Sequence, residues 1–254
     1  MKKIINWKLF FILLGVCVIA SVLVIPYSLA ITSSVIEISP VILLLSIVQN
    51  IILFAAALFF GLLLSKHIGM GLPILQGALE GKKQTKAILP VIRVSVCFGV
   101  LAGVLIVLLS IPFSKSIPEL SLSNVSVPAW KAFLASFYGG IAEEVLLRLF
   151  LVSLFVWITF KIKKTKDGLP TGFGVWLSII LASIIFGLGH LPATAQITAL
   201  TGIVIIRAIL LNGAGGVVFG WLYWKNGLES AMIAHFFADI VLHIITPFVA
   251  SFFI

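Results

Sequence analysis

The chain has 254 residues, of which 61% are hydrophobic and 10% are charged, and its formal net charge is +9. Soluble domains carry roughly 25% charged residues, so this composition leaves too little polar surface for a water-soluble globule. It predicts an all-α membrane protein, because a helix satisfies its backbone hydrogen bonds within one segment. Most basic residues lie in short gaps between apolar runs, and no gap is long enough to hold a basic nucleic-acid-binding domain.

Apolar runs long enough to cross a bilayer, about 20 residues each, follow one another along the chain. They are residues 8–30, 39–64, 87–113, 129–160, 173–191, 197–224 and 228–253. The stretch "NGAGG", 212–216, interrupts the run 197–224, which predicts either one kinked span or two short segments. The expected fold is a polytopic transmembrane helix bundle of seven or eight segments, with residues 1–254 forming a single membrane domain.

The first run begins after basic residues and ends near residues 28–30, "SLA", a pattern also found in cleaved signal peptides. We interpret it as an uncleaved span, because its apolar core is long for a signal and further spans follow. If the N-terminus is cytoplasmic, most loop lysines lie inside and only Lys115 and Lys131 lie outside, which predicts that orientation. The basic connection 65–86 is interpreted as a topology-setting loop in preference to an amphipathic surface segment.

The fourth run contains the stretch "YGGIAEEVLLRLF", which places three charges among apolar residues. Ionisable side chains are costly within a span, so they are candidates for function. Glu144 and Arg148 are four residues apart and share a helix face, so we expect them to pair. Glu143 is turned about 100° from that face and is free to meet another partner. Gly139 and Gly140 permit the close approach of a neighbouring helix.

Two later runs add imidazoles and another acid. In "FGLGHLPA", Phe186 and His190 are four residues apart and can pack together, and in "HFFAD" the same spacing relates His235 and Asp239. A carboxylate and two histidines can activate a water and stabilise an oxyanion. Alternatively, Glu143, His190 and His235 can hold a zinc ion with an open fourth position. The zincin signature HExxH is absent.

Other ionisable residues and other functions remain open at this point. Arg207 and Glu229 lie nearer the ends of runs, and we interpret His243 as peripheral. The pair of Glu144 and Arg148 alone also suits a structural ion pair between packed helices. Intramembrane acids and histidines also suit a proton- or cation-coupled transporter, although the chain has no inverted repeat. A third alternative is a non-catalytic immunity or regulatory membrane protein.

Taken together, "EEVLLR", "FGLGH" and "HFFAD" resemble the motifs of the CPBP family, the CAAX proteases and bacteriocin-processing enzymes of the membrane. The family pattern is E-E-x-x-x-R, then F-x-x-x-H, then H-x-x-x-N or a close variant, and the order matches. The resemblance covers roughly residues 125–245, which it identifies as a catalytic core. It implies an intramembrane endopeptidase acting on a hydrophobic or lipidated peptide: a prenylated CAAX-type substrate, a bacteriocin leader or a peptide-signal precursor. A Lys- and Ile-rich chain is compatible with a bacterial inner membrane.

The resemblance also implies roles for individual residues. Glu143 is expected to be the general base that activates the attacking water, and His190 to share that water. Glu144 and Arg148 are expected to organise the site. Members of the family have been described both as metalloproteases and as metal-independent glutamate proteases. We favour a metal-independent site without a cofactor, with zinc as the alternative.

The last motif departs from the family pattern. The resemblance assigns stabilisation of the oxyanion to His235 and residue 239, where an Asn is common and this chain has Asp239. An Asn amide donates hydrogen bonds, whereas an ionised carboxylate only accepts them. An oxyanion role therefore requires a protonated Asp239. Alternatively, Asp239 orients His235 or binds a metal.

The depth of the two histidines bears on the number of segments. If residues 197–224 form one span, His190 and His235 lie at depths that differ by roughly 15 Å, at about 1.5 Å per residue. A division at "NGAGG" reverses the last segment and places both histidines at similar depth. The site therefore favours eight segments, and a C-terminus outside the cell would contradict that hypothesis.

Overall fold

The structure is a computed structural model that describes residues 5–32, 39–83, 85–120 and 127–252, without the side chains of residues 32 and 85–87. Within these ranges the chain is helical and forms no sheet. Seven of its helical segments are long and apolar enough to cross a membrane. The predicted all-α polytopic bundle is thereby confirmed. The side of the membrane on which the N-terminus lies stays a prediction.

The first three spans and their connections contain five helices. They are α1 (Trp7–Leu23), α2 (Ile25–Thr32), α3 (Pro40–Ile68), the short α4 (Pro73–Leu79) and α5 (Thr85–Ser114). The fourth span consists of α6 (Ala129–Phe137), two π-helical segments (Tyr138–Glu143 and Val145–Val152) and α7 (Ser153–Ile162). The remaining spans consist of α8 (Gly172–Gly189) with α9 (Leu191–Thr194), α10 (Gly202–Asn226), and α11 (Leu228–Ile240) continued by α12 (Thr246–Ala250).

Local sequence accounts for several helix ends. The Asn6 side chain accepts a hydrogen bond from the Leu9 amide at 3.2 Å and caps α1. Thr171 caps α8 in the same way, through the amide of Gly174 at 3.1 Å. Gly227, at φ 93°, ends α10 and lets α11 begin at the next residue. The last two spans therefore form a tight antiparallel pair.

The sixth span is one uninterrupted helix, so the hypothesis of eight segments is wrong. The "NGAGG" stretch lies inside α10, where its glycines serve packing against α8. A Cβ on Gly216 would lie 2.7 Å from Oγ of Ser183, and one on Gly220 would lie 2.7 Å from Ile179. Small residues allow helix backbones to approach closely in a membrane, where no water competes for the backbone hydrogen bonds. The glycines therefore bring two helices together and do not break one.

The basic loop between the second and third spans contains α4, which packs on the turn between α10 and α11. The amide of Leu75, in the first turn of α4, donates to Oε1 of Glu229 at 2.8 Å. The amide of Leu228 donates to the carbonyl of Gly71 at 2.8 Å. These contacts assign Glu229 to capping a neighbouring helix. A purely topology-setting loop is therefore an incomplete interpretation of this connection.

Helix α11 lies at the centre of the bundle. It packs against α5, α6, α10 and the first π-helical segment. Its inner face carries small residues, and Ala231, Ala234 and Ala238 are buried. Close packing around α11 places His235 and Asp239 opposite the two glutamates of the fourth span.

Candidate active site

The fourth span is wound as a π-helix where it carries the two glutamates. The π-helical segments Tyr138–Glu143 and Val145–Val152 flank Glu144. This winding is rare, occurs mostly as short interruptions of α-helices and is frequent at functional sites. The motif identified from the sequence therefore lies on the least regular part of the helix.

Glu144 and Arg148 form a buried ion pair, with Nη1 of Arg148 3.2 Å from Oε1 of Glu144 and side-chain exposures of 2% and 0%. The guanidinium lies between two aromatic rings, 5.1 Å from the centroid of Phe186 and 5.4 Å from that of Phe219. Nη2 also donates to the carbonyl of Gly216 at 3.3 Å. Arg148 thus links the fourth span to α8 and α10 and compensates the charge of Glu144.

His235 is held in one orientation by Glu144 and an aromatic ring. Its Nδ1 lies 2.7 Å from Oε1 of Glu144. The imidazole stacks on Phe219 with centroids 4.6 Å apart and an interplanar angle of 20°. Because an ionised carboxylate only accepts hydrogen bonds, Nδ1 carries the proton in this contact. The other ring nitrogen, Nε2, is left to face the interior of the site.

Two further carboxylates converge on Nε2 of His235. Oε2 of Glu143 lies 3.8 Å away and Oδ1 of Asp239 lies 3.7 Å away. Both distances exceed that of a direct hydrogen bond and fall in the range where a water can bridge two polar groups. Gly139 borders the same space, because a Cβ there would collide with Asp239 and lie 3.2 Å from Nε2 of His235. The absence of a side chain at this position keeps the space open.

His190 lies at the C-terminal end of α8 and enters the same cavity from another side. Its Nδ1 lies 2.9 Å from the carbonyl of Phe186, which accepts the hydrogen bond, and its ring packs edge-on against the Phe186 ring at 4.7 Å. The Phe186 ring in turn lies 5.8 Å from that of His235. Among the described residues, no direct hydrogen bond or ion pair joins His190 to Glu143 or His235.

The difference in depth between the histidines is smaller than the sequence predicted. The Phe186 ring contacts both imidazoles, with its centroid 4.7 Å from that of His190 and 5.8 Å from that of His235, so the two imidazole centroids are at most about 10.5 Å apart. His190 also turns back towards Phe186. His190 therefore lies about one helical turn, roughly 6 Å, beyond Phe186, whose ring contacts that of His235. Seven spans accommodate both histidines in one site.

The polar groups line a cavity of about 340 Å³. Its acidic end is formed by Glu143, His190, His235 and Asp239, and Glu144 and Arg148 lie behind it. The wall also includes polar side chains that we did not predict as parts of the site, namely Tyr27, Tyr138, Arg207, Asn212 and His243. Asn212 was visible as a polar residue in an apolar run but was interpreted as part of a helix break. Nothing in the sequence distinguished Tyr27 from an interfacial aromatic residue.

The donors do not form a zinc shell in this conformation. Among the described residues, no three His, Cys, Asp or Glu side chains come together at a spacing that holds a metal ion. The mechanism proposed for this site therefore uses no metal. Adding a chelator to the cleavage assay tests the zinc alternative.

Comparison with protein families identifies the region that holds these motifs. Residues 125–241 match the family model described as type II CAAX prenyl endopeptidase Rce1-like. This matched part, called the Rce1-like region below, covers 117 of the 254 residues and is similar to that family. The match confirms the resemblance drawn from the three motifs and supports a CAAX-type membrane protease in general. Comparisons with curated proteins and with solved structures found no match.

The Rce1-like region contains every residue predicted for the site, from Glu143 to Asp239. It also contains Arg207 and Asn212, which share the cavity wall. Tyr27 and His243 lie outside the matched region and also line the wall. The cavity is therefore built by the Rce1-like region together with residues on either side of it.

Proposed function

We propose that this protein is an intramembrane endopeptidase that hydrolyses a peptide bond of a membrane-associated substrate with a water activated by Glu143. The observation that supports this most is the convergence on His235: its Nδ1 is bonded to Glu144 at 2.7 Å, while its Nε2 faces Glu143 at 3.8 Å. An oriented imidazole and an accessible carboxylate at the end of a cavity are suited to positioning a water and transferring its proton.

In the first step, the Glu143 carboxylate takes a proton from the water as the oxygen attacks the carbonyl carbon of the substrate. The new C–O bond forms and the carbonyl π electrons move onto oxygen, which becomes an oxyanion. His190 is placed to share the water through Nε2, since its Nδ1 is occupied by the Phe186 carbonyl. Pre-oriented donors at the oxyanion are worth a factor of about 10²–10³ in rate.

His235 is the nearest side chain that can stabilise the oxyanion. Nδ1 carries a proton and donates a hydrogen bond to Glu144. Nε2 can therefore donate a hydrogen bond only when the ring is also protonated there and is a cation. The buried carboxylate of Glu144 supports that cation, as an acid behind a histidine does in hydrolytic triads. Asp239, 3.7 Å from Nε2, is the second candidate and donates only in its protonated form.

In the second step, the tetrahedral intermediate collapses. The oxyanion electrons re-form the carbonyl, the C–N bond breaks, and the leaving nitrogen takes the proton that Glu143 received from water. The products are a carboxylic acid and an amine, and Glu143 returns to its ionised form. Arg148 takes no part in proton transfer in this scheme, since its guanidinium is occupied by Glu144, Gly216 and two aromatic rings.

The substrate is proposed to be a hydrophobic or lipidated peptide. The cavity lies among spans whose outer surfaces are rich in exposed apolar side chains, so its substrate approaches through the bilayer. A prenylated CAAX-type peptide, a bacteriocin leader and a peptide-signal precursor all fit this description. The cellular location proposed with it is the inner membrane of a bacterial cell.

The test is cleavage of a quenched fluorescent library of plain and prenylated apolar peptides by the purified protein. We expect cleavage by the parent protein, and its loss in Glu143→Ala and in His190→Ala. Cys97→Ser serves as the matched control, because Cys97 is exposed on α5 and outside the cavity. Cleavage that survives both cavity substitutions contradicts the assignment.

Two further measurements separate the alternatives. We expect a chelator to leave cleavage unchanged; a loss that zinc restores would assign a metal to the site. Proton flux into liposomes, abolished by Glu143→Gln and unaccompanied by cleavage of any peptide, would favour a transporter.

A further inference from the structure

A second cavity lies at the end of the bundle where α1 begins and α3 ends. Its volume is about 470 Å³, larger than that of the catalytic cavity. Its wall is formed by the first turn of α1, the last turns of α3 and the short helix α4. The residues that line it all differ from those that line the catalytic cavity, and the proposed hydrolysis makes no use of them.

Polar side chains give this second cavity an excess of positive charge. Lys8 and Lys66 both line it and are exposed. Glu80 is the acidic residue in the described part of the wall, and it pairs with Lys82 at 2.6 Å. Asn6 also lines the cavity; its Oδ1 caps α1, so its NH2 group is the part that can donate to a ligand. Ammonium and amide donors at one concave site are suited to binding a phosphate.

An aromatic strip on the outer surface of the bundle adjoins the second cavity. Trp7 belongs to the cavity wall and is 50% exposed. Its ring contacts those of Phe11 and Phe59, with centroids 6.1 and 6.5 Å apart, and both phenylalanines are exposed. Exposed tryptophan beside basic residues is typical of the level at which lipid headgroups meet acyl chains. The second cavity therefore lies at the boundary between headgroups and acyl chains.

We propose that the second cavity binds the phosphate of an anionic phospholipid, whose acyl chains lie against Trp7, Phe11 and Phe59. Basic pockets between spans are suited to anionic headgroups, and each lysine near such a lipid surface contributes about fivefold in affinity. The aromatic strip favours a lipid over free phosphate, because free phosphate has no apolar part to bury against it. The lysine bias predicts that this end of the bundle is cytoplasmic, and the cytoplasmic leaflet carries anionic lipids.

A lipid in the second cavity would join α4 to the first span. Gln76 of α4 lines the cavity. The preceding residue, Leu75, donates its amide to Oε1 of Glu229 at the start of α11, at 2.8 Å. A ligand that binds only the folded chain stabilises it, so the lipid should raise Tm.

The test counts the lipids that the purified full chain retains in native mass spectra during titration with phosphatidylglycerol or phosphatidylcholine in detergent. We expect one phosphatidylglycerol to bind about tenfold or more tightly than phosphatidylcholine, whose choline cation would meet the lysines. Lys8→Gln with Lys66→Gln should weaken this binding about 25-fold, as two fivefold effects combine, and should remove the rise in Tm. Lys8→Arg with Lys66→Arg keeps both charges and should keep the affinity.

The matched control is Lys163→Gln with Lys164→Gln, which removes two exposed lysines outside the second cavity. Four spans separate these lysines from Lys8, so they lie on the same side of the membrane and change the surface charge there equally. The control should bind phosphatidylglycerol as the parent does. Binding that survives the loss of Lys8 and Lys66, or that falls equally in the control, overturns the inference.

Inorganic phosphate separates a lipid site from a site for free phosphate. At constant ionic strength, an excess of inorganic phosphate should leave phosphatidylglycerol bound, and Trp7→Ala should weaken the binding of this lipid. Displacement of the lipid by phosphate, or full affinity in Trp7→Ala, contradicts the inference. Equal affinities for phosphatidylglycerol and phosphatidylcholine in the parent protein also refute it, whatever the outcome of the cleavage assay.

Discussion

Nδ1 of His235 lies 2.7 Å from Oε1 of Glu144, a residue 91 positions earlier in the chain. The same carboxylate oxygen lies 3.2 Å from Nη1 of Arg148. Glu144 is fully buried by these contacts, whereas the side chain of Glu143 is 23% exposed and lines the cavity. Two adjacent glutamates therefore have different surroundings, and we expect their substitution to have different effects.

Glu143→Gln should reduce kcat by about 10²–10⁴, the usual contribution of a general base, with little change in Tm. Glu144→Gln should reduce both activity and Tm, because the amide no longer compensates the buried Arg148. Activity and thermal unfolding in detergent measure the two effects separately. Equal loss of stability in both variants would contradict the division of roles.

Arg148→Met should destabilise the protein strongly. Removing one partner of a buried ion pair leaves the other charge uncompensated, at a cost of about 3–5 kcal/mol. The double variant Arg148→Met with Glu144→Gln should lose less than the sum of the single variants, because the two side chains interact directly. Unfolding in mixed micelles with a denaturant measures this coupling, and additive losses would show that the pair contributes little to stability.

Gly139→Ala should abolish hydrolysis. The added methyl would collide with Asp239 and approach Nε2 of His235 to 3.2 Å, displacing the groups proposed to act on the substrate. Displacement of a reacting group by about 1 Å costs roughly 100-fold in rate. Gly15→Ala is the matched control, since a Cβ there meets nothing within 4 Å. Full activity of Gly139→Ala would place the reaction elsewhere in the cavity.

Asp239→Asn should retain hydrolysis and extend it to higher pH if residue 239 donates a hydrogen bond to the oxyanion. The Asn amide donates at every pH, whereas the Asp carboxyl donates only while protonated. Asp239→Ala should reduce kcat by about 10²–10³, as loss of an oxyanion donor does. A pH profile of kcat for the three proteins measures this. Inactive Asp239→Asn would instead show that the carboxylate orients His235.

Tags at the two ends of the chain should be accessible from opposite sides of the membrane, because seven spans cross it. The lysine bias further predicts that the N-terminal tag is cytoplasmic. Accessibility to a membrane-impermeant reagent in intact and in opened cells measures both. Labelling of both tags from one side would contradict the seven-span fold.

The sequence by itself determined the fold class and the approximate position of each span, because burial in a bilayer demands long apolar segments wherever the neighbours lie. Six of the residues with unusual charge or hydrogen-bonding capacity were also visible within those segments: Glu143, Glu144, Arg148, His190, His235 and Asp239. Their cost in an apolar span made them recognisable without any knowledge of their partners.

Only the tertiary structure decided how these residues meet. The level of one helix against another depends on small-residue contacts such as Gly216 against Ser183, which hydropathy does not register. Those contacts kept α10 as one span, brought His190 and His235 to one cavity, and turned Nε2 of His235 towards Glu143. They also placed Arg207 and Asn212 in the wall of that cavity, which neither residue's position in the sequence predicted.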